Sequence, residues 1–424
     1  MSNVVNMSNA SSALNSVLQQ VDTNINNSPF SYRYAQDLKG SSMSGVARQY
    51  QEIQPNGSKV FGTVDFPIPK AGILQGLIVK LKLSKTATFA VNNSIGALQI
   101  REMSLVTNGR VLYTQTAQTL LSQVADQPYE SRRNLEDMMH LLGGTTGDQV
   151  QLFGTTTGGT AFVPALFSCF DCPENMLNTS FVEPLILRLK LAGASDYCAV
   201  DASVDTLASV TLDDLTCICS YVQLPASVEQ AMISSDFGSG ENLSKVGYDF
   251  IEESSTGTLS TSATDSVISH EIKTNRFITD MYLVVTGEND HSDTVDNAGM
   301  GIELSNIKVE SNGQVLMDLP AKIVGNIGSQ SLDDFGYGCG SYWDRSSRVD
   351  GGKFRYVVRF SLSKDYRRIF GGCSTRELNN FKISCSVNSV LSTQTSGTLT
   401  VCMRSPQLLS FSAESGRITS SISS

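Results

Sequence analysis

Two stretches of this chain, LVTNGRVL at residues 105–112 and VESNGQVL at 309–316, carry the same turn chemistry 204 positions apart. Asn-Gly between apolar residues is the strongest short-range hairpin signal. A type I′ turn needs positive φ at both central residues, and Asn and Gly tolerate that best. Asn108-Gly109 and Asn312-Gly313 are therefore expected to form tight strand-to-strand turns. The flanks align without a gap. Leu98, Ile100, Met103, Leu105, Val111 and Leu112 fall opposite Ile302, Leu304, Ile307, Val309, Val315 and Leu316, apolar on both sides at every position.

The irregularity is shared as well. The first copy skips an extra residue between Ile100 and Met103, and the second between Leu304 and Ile307, as a β-bulge would require. The same offset aligns Ile73-Leu74 with Phe277-Ile278, and Val64 and Ile68 with Ile268 and Ile272. Beyond the hairpin the offset becomes 193. Phe167-Ser168 then meets Phe360-Ser361, and Met176-Leu177 meets Ile369-Phe370, which places a longer loop in the first copy within 126–160. LTCIC at 215–219 resembles LTVCM at 399–403. A unit of about 150 residues is one ordinary domain, too long for a solenoid repeat, so two tandem domains of one fold are expected.

The boundaries read as an N-terminal arm over 1–60, a first β domain over 61–225, a connection over 226–262 with a strand at 247–252, a second β domain over 263–411 and a tail over 412–424. In the arm, Leu14, Val17, Leu18 and Val21 recur at helical spacing. That short helix either packs under its own domain or reaches a neighbouring subunit as an assembly arm. A second helix is expected from Ser131 to Gly143, with Leu135, Met138, Met139 and Leu142 on one face. Elsewhere short strands dominate, which predicts an all-β chain of antiparallel sandwiches. Roughly eight strands per copy fit a jelly roll better than a seven-strand immunoglobulin sandwich of ~100 residues. The only Trp, Trp343, falls in a loop, so the Cys–Trp–Cys core of the latter is missing.

Bulk chemistry narrows function by exclusion. A net charge of −10 with 17% charged residues argues against a surface built to grip nucleic acid phosphates. Residues 1–25 lack a cationic start followed by an apolar block, so no secretory signal is expected. The longest apolar run, GILQGLIVKLKL, is broken by Lys80 and Lys82 and is too short to span a membrane. Nine cysteines at irregular spacing include one C-x-x-C, Cys169 and Cys172, and none of the three histidines stands at ligand spacing. The cysteines read as buried small hydrophobes of a reducing cytosol. The loop GGTTGDQVQLFGTTTGG lacks the Lys of a phosphate-binding loop, and no nucleophile elbow or metalloprotease motif occurs. Glu252-Glu253 and Asp213-Asp214 read as solvated loop charge. No catalytic residue, cofactor or metal site is expected.

Tandem sandwiches with an NG hairpin followed by a short helix resemble the double jelly-roll major capsid proteins of tailless icosahedral viruses. That lineage runs from membrane-containing bacteriophages to adenovirus-like and giant viruses. The carrying residues are FSLSKDYRRIFGGCSTRELNNFKISCSV at 360–387 and the helix around Ala117, Leu120, Leu121 and Val124. The resemblance implies two eight-stranded antiparallel jelly rolls with a few short helices. It implies a homotrimer that imitates a hexagonal tile, a capsid lattice with penton and minor capsid proteins, and possible contact with an internal membrane. It implies a place in the virion after synthesis in host cytoplasm, with outward decorations at 126–160 and 329–352. The alternative is a tandem-sandwich binding module, as in a viral spike or a glycan-binding protein.

Overall fold

The computed structural model describes residues 47–85, 95–125, 158–170, 176–194, 196, 210–224, 226, 243–259, 266–287, 302, 304–321, 355–361, 371–387, 396–412 and 416–422. The arm positions Leu14, Val17, Leu18 and Val21, the helix expected over 131–143, Trp343, the segment 329–352 and most of the 126–160 loop lie outside the described residues.

The first half contains β1 (Ala47–Ile53), β2 (Thr63–Pro67), β3 (Ile73–Lys85), α1 (Ile95–Gln99), β4 (Ile100–Thr107), β5 (Arg110–Thr116), α2 (Ala117–Ala125), β6 (Gly159–Pro164), β7 (Leu177–Asn178), β8 (Leu185–Leu191) and β9 (Val210–Gln223). The second contains β10 (Leu243–Thr258), β11 (Ser266–Glu271), β12 (Phe277–Ile278), β13 (Asp280–Gly287), β14 (Leu304–Ser311), β15 (Gln314–Pro320), β16 (Tyr356–Arg359), β17 (Cys373–Ser374), β18 (Lys382–Val387), β19 (Ser396–Phe411) and β20 (Ile418–Ile422).

The strand order is the same in both halves. The first pairs β1-β9-β3-β6 in one sheet and β2-β8-β4-β5 in the other; the second pairs β10-β19-β13-β16 and β11-β18-β14-β15. First and last strands lie side by side, and each sheet takes alternate segments of the chain, which is the jelly-roll arrangement of eight strands. Each half is thus a complete roll, and the chain is a double jelly roll.

Pairing registers map one roll onto the other. Ile78 lies opposite Pro164 and Ile218, while Tyr282 lies opposite Val357 and Cys402. LTCIC and LTVCM therefore occupy the same place. Both copies shift register between Ile100 and Glu102 and between Leu304 and Asn306, and again after Leu105 and Val309. A third irregularity, between Leu74 and Gly76, corresponds to the break at Thr279 that separates β12 from β13. One expected match fails. Leu177 pairs with Leu74 and Cys373 with Ile278, so the counterpart of Leu177 is Cys373 rather than Phe370. That match rested on apolar pairs with no turn residue to pin the register.

Three segments expected outside the rolls contribute strands. β1 lies inside 1–60, β10 inside 226–262, and β20 inside 412–424. β1 and β10 are both edge strands and each carries little apolar signal. Among their described side chains β1 buries Ile53 alone and β10 buries Phe250 alone. Glu252-Glu253 and Asp213-Asp214, expected in loops, sit in β10 and β9.

The two rolls differ in what covers their outer sheet face. In β3 burial alternates, with Ile78 and Lys82 exposed between the buried Leu77, Val79, Leu81 and Leu83. In β13 the run from Asp280 to Val285 is buried throughout. A strand buried on both faces reads as a continuous apolar run rather than an alternation. The β10-β19-β13-β16 sheet is therefore sandwiched between its own core and the first roll. The first roll's apolar cluster continues into it through Phe250, Tyr282, Val357, Cys402 and Leu409.

Candidate functional site: the seam between the rolls

The seam is built by β5, α2 and the short 3-10 turn at Ser168–Phe170 on one side, and by the outer face of the β10-β19-β13-β16 sheet on the other. The Asn-Gly hairpin positions the first side. Thr107 pairs with Arg110, and Asn108 and Gly109 take the two central turn positions at φ 45° and 77°. Asn312 and Gly313 do the same at φ 54° and 78°. The two turns lie at equivalent ends of the two rolls and do not meet.

Backbone and side chains lace the seam. Gln407 Nε2 donates to the Leu112 carbonyl at 2.8 Å, and the Thr114 N–H donates to Asp249 Oδ1 at 3.0 Å. The Tyr248 N–H donates to Ser168 Oγ at 3.1 Å, Lys245 Nζ to the Met176 carbonyl at 3.0 Å, and Thr116 Oγ1 to Glu252. Gly247 lets the chains approach closely, since a Cβ there would stand 2.5 Å from Ser168 Oγ. Tyr113 stacks on Phe167 at 5.6 Å, and Phe250 contacts Tyr248 and Tyr282 at 5.7 and 6.0 Å, so the seam interior is aromatic on both sides.

Charge is buried here too. Arg355, 1% exposed, donates from the second roll to the Gln118 carbonyl, Gln118 Oε1 and Ser122 Oγ on α2, at 3.2, 2.5 and 3.0 Å. Asp280 forms ion pairs with Arg359 at 3.0 Å and with Arg404, whose guanidinium also lies over the Tyr248 ring. Burial pushes the Asp249 carboxyl up to about 6, against the pull of the Thr114 and Phe250 N–H groups and Arg276. Burial and neighbouring Cys169 raise the Tyr113 hydroxyl well above its usual range. Sequence reading missed these groups. Their signal was a charge inside an apolar run, Asp280 in FITDMYLVV and Arg404 in VCMRSPQLL, which needs a buried partner.

Among the described residues, one cluster brings catalytic residue types together. His270 is held between Ser255 Oγ at 2.7 Å and Glu253 Oε2 at 2.9 Å, although the sequence put Glu253 in a loop and His270 at no useful spacing. Glu253 also accepts the N–H groups of Lys273 and Thr274 at 3.0 and 2.9 Å. His270 is 3% exposed. These bonds are spent within the roll and tie β10 to the chain leaving β11. Among the described residues no group of three or more His, Cys, Asp or Glu side chains is placed to hold a metal ion. Cys169, Cys217, Cys219, Cys385 and Cys402 are buried thiols, and burial lifts Cys385 to about 12.

No protein-family model matches this sequence, and no curated protein matches it. Solved structures do resemble it. The chain is similar to the VP54 protein of PBCV-1, at 12% identity over 89% of this chain and 97% of that one, with a TM-score of 0.67. It is similar to the Faustovirus major capsid protein, at 11% identity over 86% and 90% of the two chains with a TM-score of 0.57. It is similar to the mavirus major capsid protein, at 10% identity over 93% and 94% with a TM-score of 0.52. Coverage of both rolls in each case means that the shared feature is the whole tandem arrangement: this chain has the double jelly-roll fold found in those capsid proteins.

Proposed function

We propose that the chain is a structural capsid protein whose three copies form a pseudo-hexameric block of an icosahedral virion. The observation that carries this reading is the doubled roll joined by a face-to-edge seam. Such a contact is heterologous: one roll offers a sheet face and the other offers the β5 edge with α2. Heterologous contacts repeat around a ring when the rotation closes. Two rolls per chain and six rolls per ring make a homotrimer with a nearly sixfold outline, and such tiles cover a plane. The likeness in fold to viral major capsid proteins supports the same reading.

On this reading the two rolls are the functional units, and their working surfaces are contacts rather than a reaction centre, so no enzymatic activity and no cofactor is assigned. The partners are further copies of the chain in a lattice, with penton and minor capsid proteins at the vertices. The chain is made in host cytoplasm and resides in the virion. The Asn108-Gly109 and Asn312-Gly313 turns serve as fixed corners of the two rolls, and the arm bearing Leu14, Val17, Leu18 and Val21 serves to fasten neighbours.

The test is size-exclusion chromatography with light scattering on the purified full chain, followed by negative-stain electron microscopy. The expected result is a particle with the mass of three chains and a near-hexagonal outline. A chain that stays monomeric at every accessible concentration overturns the reading.

A further inference from the structure

The seam inside the chain has a second, unfilled copy on its outside. Register assigns the counterparts. Gly247 pairs with Gln407 in the second roll, and Ala47 pairs with Gln223 in the first, so Tyr50 is the counterpart of Phe250, and Gln223 of Gln407. By the same pairings Ile78 is the counterpart of Tyr282. Phe250 and Tyr282 are 8% and 2% exposed in the seam, whereas Tyr50 and Ile78 are 65% and 37% exposed.

The receiving side is duplicated as well. Leu112, whose carbonyl accepts from Gln407, corresponds to Leu316; Tyr113 corresponds to Met317, and Phe167 to Phe360. Leu112 is 1% exposed and Leu316 is 48% exposed. Where the first roll has the filled Tyr113–Phe167 stack under β10, the second roll has an open hollow of about 550 Å³. Leu316, Met317, Phe360, Cys373, Glu377 and Leu378 are among its lining residues. A large exposed aromatic and an open apolar hollow, each standing where its counterpart is buried, are the two halves of one interface.

We infer that the β1-β9-β3 face of one chain docks on the β15 edge and adjoining hollow of a second copy, repeating the internal seam position for position. This rests on the homotrimer reading above and supplies its contact residues. In the complex Tyr50 takes the place of Phe250, and Gln223 Nε2 donates to the Leu316 carbonyl as Gln407 does to Leu112. Arg48, the counterpart of Tyr248, meets the hollow that Glu377 lines. The outer face is more polar than its internal twin: Lys80 stands where Val284 is buried, and Glu52 there accepts from Thr216 Oγ1 at 2.8 Å. That difference suits a face that is wet before assembly, since interfaces between separately folded chains are more polar than a core cut in half.

The experiment compares the wild-type full chain with Tyr50→Glu, Leu316→Glu and a control, Val267→Glu, on exposed β11 at the opposite edge of the β15 sheet. Each is measured by light scattering across a concentration series and by thermal melting. Tyr50 and Leu316 are expected to weaken trimer formation by at least about 30-fold, as loss of an interface hot spot does, with the melting of the separated chain unchanged. Val267→Glu is expected to keep the trimer. A photo-cross-linking benzophenone residue at position 50 is expected to label residues 314–320 of another chain. A wild-type chain that never leaves the monomer overturns the capsid reading itself. A wild-type trimer that survives both glutamate variants, or cross-links that fall elsewhere, overturns the inference and leaves the capsid reading standing.

Discussion

Gln407 donates its side-chain N–H to the carbonyl of Leu112, 295 residues earlier, across the seam between the two rolls. Both residues are buried, at 4% and 1% exposure. Gln407→Ala leaves that carbonyl without its donor, and an unsatisfied buried acceptor costs about 1–3 kcal/mol. The expected result is a lower urea midpoint for the isolated chain with an unchanged slope. A midpoint equal to wild type would mean that the seam is wetter than its packing indicates.

The Asp249 carboxyl gives the seam a pH dependence. Its folded value, raised to about 6 by burial, lies above the usual carboxylate value of 3.8, so the folded chain holds a proton that the unfolded chain has lost. Between about pH 4 and 6 stability therefore falls as pH rises, by a total of about 3 kcal/mol. Asp249→Asn keeps an oxygen for the Thr114 N–H and removes the charge. It is expected to melt higher than wild type at pH 8, and to flatten the part of the stability profile between pH 4 and 6 that this group contributes. Calorimetric melts of both chains across that range check the sign.

The Asp280 ion pairs with Arg359 and Arg404 lie where the sheet is covered on both faces, and Asp280 is fully buried. Asp280→Ala removes the buried carboxylate that the Arg359 and Arg404 guanidinium groups share, at a cost of about 3–5 kcal/mol. Replacing all three by apolar residues of similar volume is expected to recover most of that loss, because the desolvation penalty leaves with the charges. Chemical denaturation of the single and triple variants separates the two outcomes.

Gly109 and Gly313 sit at φ 77° and 78°, and an added Cβ at either would meet nothing within 4 Å. The cost of Gly109→Val or Gly313→Val is thus conformational, about 1–2 kcal/mol each and more for a β-branched side chain. The turns are in different rolls, so the double variant is expected to lose the sum. Melting temperatures unchanged in both single variants would refute positive φ at these turns.

Much of the fold was legible because duplication makes one half a control for the other. Turn chemistry at Asn108-Gly109 and Asn312-Gly313, the bulges after Ile100 and Leu304, and the LTCIC–LTVCM match are local and repeat in register. The edge strands β1 and β10 were less legible, because each buries a single one of its described side chains and so carries little apolar alternation. The Leu177–Cys373 equivalence was missed because no turn residue anchors that stretch. The His270–Ser255–Glu253 contact was invisible because the packing of the β10 sheet against the β11 sheet, not sequence distance, brings Glu253 and Ser255 to the ring.

By itself the sequence determined that one β-sandwich occurs twice, since alternation, turn residues and bulges are properties of neighbouring positions and need no tertiary contact to be read. Only the tertiary structure decided which faces are covered. Tyr50 and Phe250 occupy the same place on equivalent strands, yet one is solvent-exposed and the other buried, because the first roll lies over Phe250 and no described residue covers Tyr50 in the same way. Burial depends on what packs against a face, and that is set by the long-range placement of one roll on the other rather than by local pattern.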